Sequence, residues 1–408
     1  MKRYIELFII AWLIAGVVSA NPVLKKIKVD GFEREYLVYL PSHPIRKKAE
    51  GVLVCLHSFS RSMHDFFYDN DFTSAADSLN LIMVALQALP EQNQRVNLVA
   101  ASIGSFTDNR ILLNSVWGCG LRIKANLLLL GTSLLNEELN KDVDDVNFID
   151  KVIDETLSDN ALDSENIFVL GTSMGGFMAY QYALKKGERL SGIISVAGSM
   201  GLEIKGMDNG VKVPVCDFHS VTDEVVPYTG SQIQSLSVIT LAQPKPDVLN
   251  YWRQKNETGN PVTEQIKNYP STNKITVEKI TYPAPVNEVV HYKATGASHS
   301  YFFKKENGDC MDHVEEIMRF IRSHLTVTTP NAPIIEEQKP FFYPNPVVDK
   351  IYFKAVNGIV SIYDITGMEI LSRSFTEGQA DLKSLRPGLY FIHIRYGNTV
   401  YTDKLIKK

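Results

Sequence analysis

Apolar and polar positions follow two rhythms along the 408 residues, and the rhythm changes near residue 326. Upstream of that point, unbroken apolar runs of strand length recur at 51–56, 81–86 and 167–170, and mostly apolar ones at 190–197 and 211–218. A run without alternation has no solvent-facing side, so each predicts a strand covered on both faces of a largely parallel sheet. Helical periods separate these runs. Residues 73–79 read as a short helix, and Asp144 and Asp145 open a longer one with Val146, Ile149, Val152, Ile153 and Leu157 on its buried stripe. Acidic residues there satisfy free backbone N–H groups and complement the helix dipole. Residues 247–256, with Trp252, and 314–324 predict two more helices. At the front, Ile27, Val29, Phe32, Tyr36, Val38 and Leu40 roughly alternate with charged residues around Asp30-Gly31, which predicts a hairpin. Residues 275–283 and 288–293 predict a second strand pair. Strands alternating with helices imply a doubly wound, mostly parallel α/β domain over residues 21–325.

Residues 326–340 are rich in Thr, Pro, Asn and Glu and have no buried period, which predicts a linker. From 341 to 408, short alternating segments at 350–353, 358–363, 389–394 and 400–406, with turns at 364–367 and 386–388, predict a small all-β sandwich. At the other end, Met1-Lys2-Arg3 precede an apolar run from Ile5 to Val18, broken only by Glu6 and followed by Ser19-Ala20. The run is shorter than the roughly 20 residues that cross a bilayer. A cleaved secretory signal is expected at residues 1–20, and no cysteine follows it to accept a lipid. Residues 90–124, with Trp117-Gly118-Cys119-Gly120, have no clear period and are a candidate insertion over the site; Leu127 to Leu130 follow.

Charge and cysteines narrow the chemistry. A net charge of −4 and a pI near 6.2 offer no basic footprint for nucleic acid or an anionic membrane. Cys55, Cys119, Cys216 and Cys310 have no C-x-x-C or mixed Cys/His spacing, so no metal is expected. Export permits disulfides and the sequence does not choose among the pairings, but Cys55 and Cys216 lie in apolar runs that suit buried free thiols equally well.

Gly171-Thr172-Ser173-Met174-Gly175 closes one apolar run and opens a helix. A G-x-S-x-G elbow holds its serine on a strained turn, with glycines where Cβ atoms would collide with the neighbouring strand and helix. The N–H of Met174, at the helix start, is an expected oxyanion donor. A serine hydroxyl needs a histidine to take its proton and a carboxylate to orient that histidine. On such an elbow the partners follow in the order Ser, Asp, His, each in a loop after a strand. Asp223 lies just past the 211–218 run, whereas Asp217 lies inside it. Beyond Asp223, His291 falls in a strand pattern, His313 and His324 on the last helix and His393 in the β module; His299 sits in a loop with small neighbours. Ser173, Asp223 and His299 are therefore the expected catalytic residues. The second oxyanion N–H is expected from Ser58 or Phe59, with His57 shaping their loop. Gly131-Thr132-Ser133 lacks a glycine two residues past its serine and is not a second elbow. Trp117 and Trp252 suit packing better than an ester pocket.

With Val54-Cys55-Leu56-His57, the 144–149 helix start, Gly171 to Gly176, Thr222 to Tyr228 and Ser298-His299, the chain resembles secreted α/β-hydrolase esterases grouped around polyhydroxybutyrate depolymerases and feruloyl or acetyl-xylan esterases. The resemblance spans about residues 50–305. It implies an α/β-hydrolase fold and a serine carboxylic-ester hydrolase that needs no cofactor and removes acyl or feruloyl groups from a polysaccharide or its fragments. One departure stands out: Ser58 replaces the glycine that usually follows the first-strand histidine. The tail, with Phe342 to Pro346, Ile362 to Gly367 and Leu385 to Tyr390, resembles the C-terminal sorting domain read by type IX secretion machinery. That implies a secreted or surface-attached protein; a carbohydrate-binding module would need a cluster of exposed aromatics. The alternatives are a prolyl-oligopeptidase-like serine peptidase and a non-catalytic surface binding protein. The first normally carries a β-propeller ahead of the hydrolase domain, where this chain has about 30 residues; the second predicts a broken triad.

Overall fold

The computed structural model describes residues 22–41, 49–68, 72–97, 113–125, 135–162, 166–202, 204–230, 239–240, 242–299, 301–326, 342–353, 356–364, 368–396 and 399–408. The calls on residues 1–20, 127–133 and 327–340 lie outside them. The chain forms two compact units, Met1–Val327 and Thr328–Lys408.

The first unit begins with β1 (Val23–Val29) and β2 (Phe32–Tyr39), an antiparallel hairpin. Asp30 and Gly31 take φ of 48° and 87°, the positive values a two-residue hairpin turn requires. Then follow β3 (Gly51–Leu56), α1 (Asp65–Tyr68), α2 (Phe72–Leu79), β4 (Leu81–Leu86), β5 (Arg122–Ala125), β6 (Leu135–Glu138), α3 (Asp145–Asp159), β7 (Ile167–Thr172) and α4 (Met174–Lys186). The rest are β8 (Gly192–Val196), β9 (Val215–Ser220), β10 (Ile239–Thr240), α5 (Lys245–Lys255), β11 (Val262–Gln265), β12 (Thr276–Tyr282), β13 (Val289–Thr295) and α6 (His313–His324).

Ten strands form one sheet in the order β1-β2-β4-β3-β7-β8-β9-β13-β12-β11. The run from β4 to β13 is parallel, and both margins are antiparallel. This is the α/β-hydrolase fold. Successive side chains of a strand point to opposite faces, so the apolar runs feed two cores. Val52, Val54 and Leu56 join Ile149, Val152 and Phe177 of α3 and α4. Leu53 and Cys55 join Phe72 and Ala76 of α2 and Ile317 of α6. The chain leaves β3 for β4 on one side, while β7 lies on the other, so the loops after β3 and β7 meet at a switch point. Ligand crevices open at such points.

Strand β9 differs from the expected 211–218. Pro214 has no N–H for the ladder, and the strand runs on through His219 and Ser220, which pair with Lys293 and Ala294 of β13. The polar end of the run is strand because tertiary partners satisfy its side chains.

The second unit contains β14 (Phe342–Tyr343), β15 (Lys350–Phe353), β16 (Gly358–Tyr363), β17 (Glu369–Phe375), β18 (Gln379–Asp381), β19 (Gly388–Tyr396) and β20 (Thr399–Lys407). They make two antiparallel sheets, β14-β15-β18 and β17-β16-β19-β20. Alternate residues such as Ile351, Val360, Ile362, Ile392 and Ile394 point into one shared core.

Candidate active site

Ser173 joins β7 to α4 at φ 51° and ψ −115°, a conformation costing about 1–3 kcal/mol that its surroundings must hold. Its N–H donates to Val196 O at 2.7 Å, and its carbonyl accepts from Gly176 N at 2.9 Å. The glycines are there for close approach. A Cβ on Gly171 would lie 2.0 Å from Gly175 O, and one on Gly175 would lie 2.0 Å from Leu56 O. The start of α4 therefore presses against the end of β3.

Ser173 Oγ lies 2.8 Å from His299 Nε2, and His299 Nδ1 lies 2.8 Å from Asp223 Oδ2. The carboxylate accepts at Nδ1–H, which leaves the Nε2 lone pair toward the serine hydroxyl. Asp223 Oδ1 accepts from the N–H groups of Val225 and Val226 at 2.9 and 2.7 Å. Burial alone would raise its pKa; the bond and charge of His299, the charge of His219 and the Val226 N–H outweigh that and hold it below the ordinary carboxylate value. The histidine loop is held on several sides. His299 N–H donates to Glu224 Oε2 at 3.1 Å, and buried Asp309 accepts from Tyr301 OH at 2.7 Å and Lys304 N at 2.9 Å. Phe303 N–H donates to His313 Nδ1 at 2.7 Å, an acceptor kept neutral because burial pushes its pKa down to about 3.

Facing Ser173 is the loop after β3. His57 is buried, and burial pushes it down to about 4, so its ring is neutral. Nδ1 donates to Ser58 O at 2.7 Å, Nε2 accepts from Ala88 N at 3.0 Å, and Trp117 Nε1 donates to His57 O at 2.9 Å. His57 thus braces the loop from below. Ser58 Oγ is 3.0 Å from Thr172 Oγ1, which ties the loop to the residue before the elbow serine. Ser58, Phe59, Arg61, Ser173, His299 and Phe302 line a cleft of about 460 Å³. Met174 opens α4 directly beside it. Trp117 and Trp252 are fully buried and do not line it.

The two candidates set aside in the sequence find each other in the interior. Asp217 Oδ2 accepts from His291 Nδ1 at 2.8 Å, while Oδ1 accepts from Lys245 Nζ at 2.7 Å and Tyr180 OH at 2.9 Å. His291 Nε2 accepts from Tyr228 OH at 3.1 Å. Burial works to raise the Asp217 pKa, but Lys245 and His291 hold it well below the carboxylate range. Lys245 and His219 had no signal as isolated residues. His219, four positions before Asp223 at a strand end, is the one that position could have flagged. All four cysteines are free thiols and buried.

Fold and site together put the first unit in the α/β-hydrolase class. Residues 135–260 match the Phospholipase/Carboxylesterase family, and residues 341–408 match the Secretion system C-terminal sorting domain. Over 132 residues the chain is 26% identical to a protein named probable feruloyl esterase C from Aspergillus niger, covering 31% of this chain and 48% of that protein. A protein of the same name from Aspergillus clavatus is 29% identical over 92 residues, covering 22% and 33%. The chain thus spans about half the length or less of these curated relatives. Among solved structures it is similar to an acetyl xylan esterase from Aspergillus awamori, at 13% identity and a TM-score of 0.48, over 74% of this chain and 99% of that one. The chain carries an esterase-related α/β-hydrolase unit followed by a secretion sorting domain.

Proposed function

We propose that the protein is an exported carboxylic-ester hydrolase with Ser173, His299 and Asp223 as its triad. The observation that carries this reading is the unbroken relay of two 2.8 Å contacts ending at a serine that opens on the cleft. Ser173 Oγ attacks the ester carbonyl as its proton passes to His299 Nε2, and Asp223 stabilises the imidazolium. Met174 N–H, with the N–H of Ser58 or Phe59, holds the oxyanion. The intermediate collapses, the alcohol leaves with the proton from His299, and water repeats the sequence to free the acid and restore the serine. No cofactor takes part. The aromatic walls Phe59 and Phe302, and the names of the relatives, support an acyl or feruloyl ester on a polysaccharide or its fragments. In this reading residues 1–20 are a cleaved signal, 21–325 the hydrolase, 326–340 a linker and 341–408 the sorting domain that engages type IX machinery.

A fluorophosphonate probe on the native protein and on Ser173→Ala, followed by short acyl, acetyl-xylan and feruloyl ester assays, tests the proposal. Labelling and hydrolysis should both disappear in Ser173→Ala. A native protein that resists the probe while a control hydrolase reacts would overturn it.

A further inference from the structure

The hydroxyl of Ser58 has no part in the proposed reaction, yet it lies where the two halves of the proposed oxyanion site meet. One N–H donor, that of Met174, belongs to the elbow; the other, that of Ser58 or Phe59, belongs to the loop after β3. Their separation is set by whatever joins loop to elbow. Residues 58–61 form a turn closed by Arg61 N–H on Ser58 O at 3.1 Å, with Ser60 at φ 54°. The other ties of this turn lead away from the elbow: Ser58 O also accepts from His57 Nδ1, and Ser60 N–H donates to Ser115 O at 2.9 Å. The N–H groups of Ser58 and Phe59 have no acceptor among the described residues, so both remain free to meet a ligand. Toward the elbow, the ladder between β3 and β7 ends at the pair Leu56 and Gly171. Just beyond it, Ser58 Oγ donates to Thr172 O at 3.3 Å and lies 3.0 Å from Thr172 Oγ1. With the Thr172 hydroxyl donating back to Ser58 Oγ, each hydroxyl uses its one proton within the pair. Among the described residues no other hydrogen bond joins residues 58–61 to Thr172, Ser173 or Met174.

We propose that Ser58 is a positioning residue whose hydroxyl latches the loop to Thr172 and so fixes the loop's N–H donor at its working distance from Met174 N–H. The proposal rests on the reading of Ser173, His299 and Asp223 given above. Donors stabilise a developing oxyanion best when they are already in place, because nothing then has to be rearranged as the charge forms. A misplacement of about 1 Å costs on the order of 100-fold in rate. The Ser58 proton is directed at Thr172 and not at the substrate, so loss of the latch acts on the transition state and leaves ground-state binding nearly unchanged.

Ester hydrolysis by Ser58→Ala, with active sites counted by fluorophosphonate titration, tests the latch. In this variant kcat should fall about 5- to 50-fold with KM nearly unchanged. The Ki of a boronic acid, whose tetrahedral adduct on Ser173 places an oxygen in the oxyanion site, should rise by the same factor. Ser58→Thr keeps the hydroxyl and should recover most of the rate. Thr172→Val leaves only the bond to Thr172 O and should cost about 2- to 5-fold; combined with Ser58→Ala it should cost nothing further. A rise in KM alone, an unchanged boronic-acid Ki, or losses that multiply in the double variant would each overturn the proposal, the last because the hydroxyl would then act without Thr172. Should Ser58→Ala not fold, the other end of the latch gives the answer: kcat should fall in Thr172→Val and not in Thr172→Ser, and equal rates in the two overturn the proposal. A failure of the esterase reading is separable, since it appears as full activity in Ser173→Ala.

Discussion

Strands β9 and β13 supply two aspartate–histidine pairs, one inside the sheet and one in the loops beyond it. The parallel register sets His291 beside Asp217, and the inner Nδ1–carboxylate contact, at 2.8 Å, equals the outer one between His299 and Asp223. What differs is the third partner and the access. The inner imidazole meets a phenol, Tyr228, and its carboxylate is neutralised by Lys245, with both Asp217 and His291 fully buried. The outer imidazole meets the hydroxyl of Ser173 at the edge of a cleft. An aspartate–histidine pair is therefore an orienting device. It does chemistry only where its free nitrogen faces a nucleophile that substrate can reach, and elsewhere it ties strands together.

The comparison breaks most sharply on activity. Asp223→Asn should lower kcat by about 10⁴-fold, since the amide reverses the tautomer of His299, whereas Asp217→Asn should leave kcat within about tenfold. Equal losses in ester assays of the two folded variants would erase the distinction. On stability the order reverses. Asp217→Asn leaves the Lys245 ammonium buried without its counter-charge and should cost about 3–5 kcal/mol in urea unfolding, with part of the loss recovered by adding Lys245→Met. The smallest effect belongs to Tyr228→Phe, which removes one hydrogen bond to His291 and should cost about 0.5–1.5 kcal/mol; a larger loss would make the phenol more than a local partner.

The central strands were legible because runs such as 51–56 and 81–86 have no polar face, and only a strand covered on both sides tolerates that. The elbow was legible for a local reason, since Gly171 and Gly175 mark backbone contacts that no Cβ would survive. Asp223 and His299 could be chosen by position relative to strands. The polar interior was not legible. Asp217, Lys245, His291 and Tyr180 come from four separate elements and meet only through strand register and helix packing, and local pattern carries no trace of either. For the same reason Asp145, expected as a dipole-complementing residue at a helix start, proves to be buried against Arg34 at 2.6 Å and the N–H of Gly118 at 2.7 Å.

The cysteines have a consequence for life outside the cell. A chain bearing a secretion sorting domain is destined for oxidising surroundings, where exposed thiols cross-link or are over-oxidised. Burial pushes the Cys55, Cys119, Cys216 and Cys310 thiols up, so the reactive thiolate is scarce as well as inaccessible. The four thiols call for no oxidative maturation step and none is exposed to attack, so no disulfide has to form or survive for the fold to persist after export.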